Sequence, residues 1–214
     1  MIITYADIDG FRNLSGISFA PDPKYNIIVG KNAQGKTNLL EAMWILSGCR
    51  SFRGSKEKDY IRLGGDRMSS KIKLQDSVRV QKIEFEMTRS AVSPKNIHLN
   101  GVKQKGTKSL FDVFKCIAFI PDDVDIIKGS PEKRRSFIDM AASQLNPVFV
   151  VHLNKHNAIM NQRNALLKDI GQGNSPASVL EIWDRQAAKE GTVISYMRNE
   201  YISKINEICG RLYR

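Results

Sequence analysis

Residues 30–37 read Gly30-Lys31-Asn32-Ala33-Gln34-Gly35-Lys36-Thr37, which fills the pattern G-x-x-x-x-G-K-[ST] at every fixed position. In that spacing the glycines let the backbone curl so that its N–H groups face phosphate oxygens. A helix that follows at once adds the partial positive charge of its N-terminus. Lys36 is placed to reach the β- and γ-phosphates, and the Thr37 hydroxyl to ligate Mg²⁺. The flanks fit this chemistry. Tyr25–Val29 is an apolar run that reads as a buried strand, and 38–46 reads as a helix. These residues predict a site for a nucleoside triphosphate. No Asn-Lys-x-Asp occurs, which disfavours guanine.

A second group is ambiguous. Cys116–Ile120 followed by Pro121, Asp122 and Asp123 has the outline of a strand ending in paired carboxylates. In a phosphate-loop enzyme such acids hold Mg²⁺ and polarise water. Pro121 intervenes, however, and Asp after Pro is equally a turn cap, so the residues alone leave both uses open. His98, His152 and His156 give no metal spacing. His152 and His156 lie four apart, but no Glu follows His152, so the pair reads as a helix face. Cys49, Cys116 and Cys209 are odd in number and far apart, which excludes a disulfide framework and argues for a reducing compartment.

The elements that must position these groups fall into two halves. Extended segments are expected at 2–8 and 17–19, around a turn at 10–16, then at 78–87 with a register break near Gln81. A hairpin is expected around Asn100-Gly101, the residue pair that best tolerates two positive φ angles. From Ser130-Pro131 the pattern becomes helical, with Ser as cap and Pro at the first position. Phe137, Ile138, Ala141, Ala142 and Leu145 form one stripe, and Asn146-Pro147 starts a second helix with Val148, Val151, Ala158, Ala165 and Leu166 inward. Ser175-Pro176 opens a third whose period runs nearly to the end, roughly 55 Å if unbroken. Trp44 and Trp183 read as core anchors. Domains are expected at 1–127 and 128–214. The last helix has no cap or closing strand, which reads as a piece of a longer protein.

Charge adds a partner class. The 214 residues hold 33 Lys+Arg against 22 Asp+Glu, a net +11, with 18 basic and 10 acidic residues in 1–107 but 15 and 12 in 108–214. Arg50, Arg53, Lys56, Lys58, Arg62, Arg67, Lys71 and Lys73 crowd one stretch, the footprint of a polyanion site or of a solvated basic face. No run approaches the ~18 apolar residues of a membrane span, and the N-terminus is not a signal peptide. A cytoplasmic protein without a membrane partner is expected.

Gly10-Phe11-Arg12-Asn13, the phosphate loop and Thr37-Asn38-Leu39-Leu40-Glu41-Ala42 resemble the head of SMC-type ABC ATPases. Ser51-Phe52-Arg53, Phe119-Ile120-Pro121-Asp122-Asp123, the run from Lys128 to Asp139 (KGSPEKRRSFID) and the run from Gln162 to Lys168 (QRNALLK) narrow the likeness to the bacterial RecF family. The resemblance implies an α/β fold, an ABC-type P-loop ATPase lobe with an antiparallel β layer and an inserted helical arm. It implies ATP and Mg²⁺ as cofactors, with Arg12 and Asn13 near the nucleotide and Arg53 near DNA, to which the charge cluster adds Lys56 and Lys58 as DNA-contact candidates. It further implies action at single-strand gaps and single-strand/double-strand junctions in repair, recombination and replication, RecO and RecR as partners in loading RecA, and an ATP-dependent homodimer. In the family's order Asp122 and Asp123 fall at the Q-loop. Neither a Ser-x-Gly-Gln signature nor a further acid-terminated strand occurs, so ATP binding without hydrolysis is expected of this chain. A self-contained small P-loop kinase or NTPase using Asp122 or Asp123 is the alternative. A basic nucleic-acid binder with a regulatory nucleotide is a third.

Overall fold

The computed structural model describes residues 1–89 and 95–212. They divide into two compact units, Met1–Ala118 and Phe119–Arg214.

The first unit is built on a six-stranded sheet in the order β2-β1-β3-β4-β5-β6. Its strands are β1 (Ile2–Asp9), β2 (Ile17–Phe19), β3 (Arg67–Gln75), β4 (Val80–Thr88), β5 (Lys95–Leu99) and β6 (Val102–Lys103), and every pairing is antiparallel. Alternation puts Ala6, Ile8, Met68, Ile72, Leu74, Ile83, Phe85, Met87 and Ile97 on one buried face. Helix α1 (Lys36–Trp44) and the 3₁₀ turn Ile45–Ser47 pack against the sheet. Ser70 on β3 donates its hydroxyl to the carbonyl of Ala42 at 2.9 Å, which fastens α1 to the sheet's centre. The charged side chains point the other way, where Lys82 pairs with Glu84 at 2.9 Å.

The hairpin is as expected. Asn100 and Gly101 take φ of 53° and 81°, and Leu99 pairs directly with Val102. The break near Gln81 is not found, because β3 and β4 pair without a shift from Arg67↔Thr88 to Gln75↔Val80. Gln81 itself takes an inward position and Val80 faces out, so the polar residue only looked like a slip. The actual irregularity lies between Ile3 and Tyr5.

Two expected strands are absent. Residues 25–29 and 116–120 join no ladder among the described residues. Tyr25, Ile27 and Val29 are 84–87% exposed, and Ile117 and Phe119 are likewise exposed. A strand requires a neighbour to take its N–H and C=O groups, and none of the described segments supplies one.

The second unit is helical: α2 (Asp125–Lys128), α3 (Pro131–Leu145), α4 (Pro147–Gly171) and α5 (Leu180–Leu212). The starts at Ser130-Pro131 and Asn146-Pro147 are as expected, and Asn146 accepts a hydrogen bond from the Val148 amide as the α4 cap. The third is displaced: Pro176 precedes a 3₁₀ turn, Ala177–Val179, and α5 begins at Leu180. Ala142, Phe149 and Ile194 form the buried centre, with Leu153 and Met197 against it. The inward stripe of α4 therefore runs through Phe149, Leu153 and Ile159; Val148, Val151, Ala158 and Ala165 are exposed, as is Leu145 on α3. Of the expected α4 stripe Leu166 is half-buried, and packing against Ala142 of α3 and Ile194 of α5 selects the side that carries Phe149. Trp183 is only half-buried, while Trp44 is in the core. Helix α5 passes through Gly191 without a break for 33 residues, about 50 Å. Polar pairs set its register. Arg198 grips Asp139 of α3 through two bonds of 2.7 and 2.8 Å. Glu190 meets His152 and Lys155 of α4 at 2.7 and 2.6 Å.

Candidate nucleotide site

The loop 30–35 is shaped by three left-handed residues. Ala33 and Gly35 have φ of 64° and 94°, and Gly30 has 156°. Gly35 is required twice over, since a Cβ there would also lie 2.6 Å from Leu14 Cδ2 and 2.7 Å from Asn13 Oδ1. The first intrahelical bond of α1 runs from the Leu39 amide to the Gly35 carbonyl at 2.9 Å. The amides of the first turn, Lys36 to Asn38, thus have no acceptor within the helix. No side chain caps this end and no acid lies in its first turn. Lys36 Nζ donates to the carbonyls of Gly30 and Lys31, both at 2.8 Å, and so stands inside the curl of the loop. Thr37 beside it is exposed. A cation, open amides and a hydroxyl converge where a phosphate oxygen is the matching acceptor. The residues fit the phosphates of a nucleoside triphosphate.

Lys31, Asn32 and Gln34 are exposed. Asn13 donates to the Ala33 carbonyl at 3.1 Å, so the structure brings it to the loop. Arg12 is held differently. Its guanidinium makes a two-pronged pair with Glu41 of α1, Nε to Oε2 at 2.8 Å and Nη2 to Oε1 at 2.7 Å, and also reaches the Ser55 hydroxyl. Glu41 is fully buried and takes a further bond of 2.5 Å from Ser51. This buried carboxylate is the residue that sequence reasoning missed as a functional group. Its signal was an acid at a helix position flanked by Leu40 and Ala42, opposite an arginine that follows a strand.

Ser51 and Ser55 belong to the loop that carries the basic candidates. Tyr60 closes its far side by accepting the Ser51 amide at 3.0 Å, and burial pushes the Tyr60 phenol above its ordinary value. Within this frame Arg53, Lys56 and Lys58 are all exposed, and Arg53 donates to Asn38 Oδ1 at 2.9 Å. The lysines point no side-chain bond inward among the described residues.

Asp122 and Asp123 lie in the second unit, in a 3₁₀ turn Pro121–Val124. Asp123 accepts the Ile120 amide at 2.8 Å, the turn-capping use of the pair. At the start of α3, Lys133 is paired with Asp125 and Arg134 donates to the Gly129 carbonyl at 3.0 Å. Among the described residues no three His, Cys, Asp or Glu side chains cluster as metal ligands, and no helix is long and apolar enough to cross a membrane.

Known proteins place this geometry. The family model for the AAA ATPase domain matches residues 1–208. The chain is 38% identical over its whole length to the DNA replication and repair protein RecF of Lachnospira eligens, covering 59% of that protein. It is 35% identical to RecF of Desulforamulus reducens, covering 56% of it. Among solved structures, one described as the recombination mediator protein RecF–ATP in the RecFOR pathway superposes with a TM-score of 0.88 at 34% identity, over 95% of this chain and 54% of that one. The chain thus spans little more than half the length of the relatives it matches. An α/β fold with this phosphate loop, sheet and helical region, matched in sequence and structure alike, makes the chain a member of the AAA ATPase domain family and, within it, an N-terminal ABC-ATPase-type domain of the RecF kind.

Proposed function

We propose that this chain binds ATP with Mg²⁺ as the nucleotide-binding part of a RecF-type recombination and repair mediator. The observation that carries this reading is Lys36 inside a curled loop, at the uncapped N-terminus of α1. Lys36 would hold the β- and γ-phosphates, Thr37 the metal, and Asn13 the loop itself. Arg12, through its pair with Glu41, would fix the start of the basic loop under α1. Mg²⁺, when bound, supplies neutralisation of phosphate charge. Arg53, Lys56 and Lys58 are exposed on a loop braced at both ends, which suits contact with a DNA backbone. In the complete protein, action at single-strand/double-strand junctions, partnership with RecO and RecR in loading RecA, and an ATP-dependent homodimer follow from kinship with RecF. So does a weak DNA-stimulated ATPase. For the chain itself we propose binding without turnover. The use of Asp123 as a turn cap favours this over a self-contained kinase.

Titration with a fluorescent ATP analogue tests the reading. Lys36→Ala should weaken binding by about 1.5–3 kcal/mol, the worth of a charged hydrogen bond. Equal affinity in the variant would overturn the assignment. For DNA, Arg53→Ala with Lys56→Ala should flatten the slope of log K against log salt by roughly two on duplex, and an unchanged slope would clear the loop of phosphate contact.

A further inference from the structure

Between Glu86 and Asp112 the sequence carries Arg89, Lys95, Lys103, Lys105 and Lys108 and no acid. The fold sorts these cations by what they meet. Lys95 at the start of β5 pairs with Glu57, and Arg89 donates to the Gly65 carbonyl at 3.1 Å. Lys103, Lys105 and Lys108 are exposed and meet no carboxylate among the described residues. Elsewhere on the sheet the same residue type is neutralised: Lys71 lies 3.4 Å from Glu86, and Lys82 lies 2.9 Å from Glu84. The three remaining lysines stand on a fixed scaffold. Asn100 Oδ1 accepts the Lys82 amide at 2.7 Å, and the Gln104 amide donates to the Ile97 carbonyl at 2.8 Å. Leu110, fully buried, anchors the 3₁₀ turn Thr107–Leu110 that carries Lys108. Because β6 runs antiparallel to β5, the chain after Gln104 returns toward the end of β5 where Lys95 meets Glu57. Glu57 sits between Lys56 and Lys58 in the basic loop. One ion pair therefore joins the two groups of cations.

We infer that Lys103, Lys105 and Lys108 form a second contact surface for the phosphate backbone of duplex DNA, at the β5–β6 hairpin and the turn that follows it. The inference rests on the DNA reading above. Cations held away from carboxylates, in a sheet that pairs its other lysines, are an excess of charge at fixed positions, and a polyphosphate is its complement. Residues 95–110 hold no Phe, Tyr or Trp. Unpaired bases thus find no stacking platform here, which favours paired strands met through their phosphates. Lysine offers a point charge without the flat fork that reads a guanine edge, so the contact is blind to sequence. Lysines on an edge strand have a rival use, which is to keep a second strand off an open edge. β6 is such an edge. Lys105 and Lys108 lie beyond it and have no ladder to guard.

Anisotropy of a fluorescein-labelled duplex, titrated with the chain at several salt concentrations, tests this. Lys103→Ala, Lys105→Ala and Lys108→Ala together should flatten the slope of log K against log salt by about 2.7, at ~0.9 for each phosphate met. Arg at the same three positions keeps the charge and should restore the slope. Lys168→Ala, Lys189→Ala and Lys204→Ala together remove as much charge from exposed sites on the helical unit, and should leave the slope as it was. An unchanged slope in the first variant overturns the second surface. If that variant also self-associates in light scattering, the lysines guard the edge instead. Equal flattening in the helical-unit variant overturns the surface too, since net charge alone would then be at work. Flattening by Arg53→Ala with Lys56→Ala, but not by the three lysines, keeps the DNA reading and removes only this surface. A parent chain that does not bind the duplex at low salt removes both.

Discussion

The strand Val80–Thr88 and the segment Tyr25–Val29 carry comparable apolar side chains, yet one hides them and the other displays them. The strand has neighbours on both sides, β3 across a turn of a few residues and β5 along its other edge. The segment has none among the described residues. An apolar run is therefore not a strand in itself. It becomes one when a ladder is completed, and short-range ladders complete themselves.

The sharpest way to break this contrast is inside the sheet. Phe85→Ala should cost about 3–5 kcal/mol in urea unfolding, since Phe85 is buried at the sheet's centre. Next comes the polar staple: Glu41→Gln leaves Arg12 facing a neutral amide and should cost about 2–3 kcal/mol. A smaller effect belongs to the helical unit. Lys155, and then His152, hold the Glu190 carboxyl below its ordinary value of 4.5. Because the folded state releases that proton more readily than the unfolded chain, its stabilisation is complete above about pH 4.5 and is lost as pH falls through the lower folded value. Glu190→Gln should therefore cost about 1 kcal/mol at pH 7, and the gap to wild type should close in acid melts. Smallest of all, Ile27→Ala should change stability by no more than about 0.5 kcal/mol. A large loss there would mean that 25–29 is packed in solution.

What could be read from the sequence follows the same division. The phosphate loop, the Asn100-Gly101 turn and the two proline-led helix starts were legible because each is decided within a few residues. The stripe of α4 was not, since apolar residues lie on more than one side of that helix and only packing against α3 and α5 selects the side that is buried. Nor was the inward Gln81, because a polar residue in a core position looks like a broken alternation until both neighbouring strands are in view. Of the site, the loop and Lys36 were readable. The Glu41 anchor and the hydrogen bond from Asn38 to Asn13 were not, because each joins residues 25 or more positions apart through side-chain geometry.

The two bonds from Lys36 to the Gly30 and Lys31 carbonyls give that side chain a second duty. Besides meeting phosphate it is a brace, closing a curl whose backbone is held in unfavourable angles. Replacing it removes a phosphate partner and loosens the loop together. Amide hydrogen exchange at residues 30–35 should accelerate in ligand-free Lys36→Ala while the sheet stays protected. Part of the lost affinity is then the cost of ordering a loop that the wild type keeps ready.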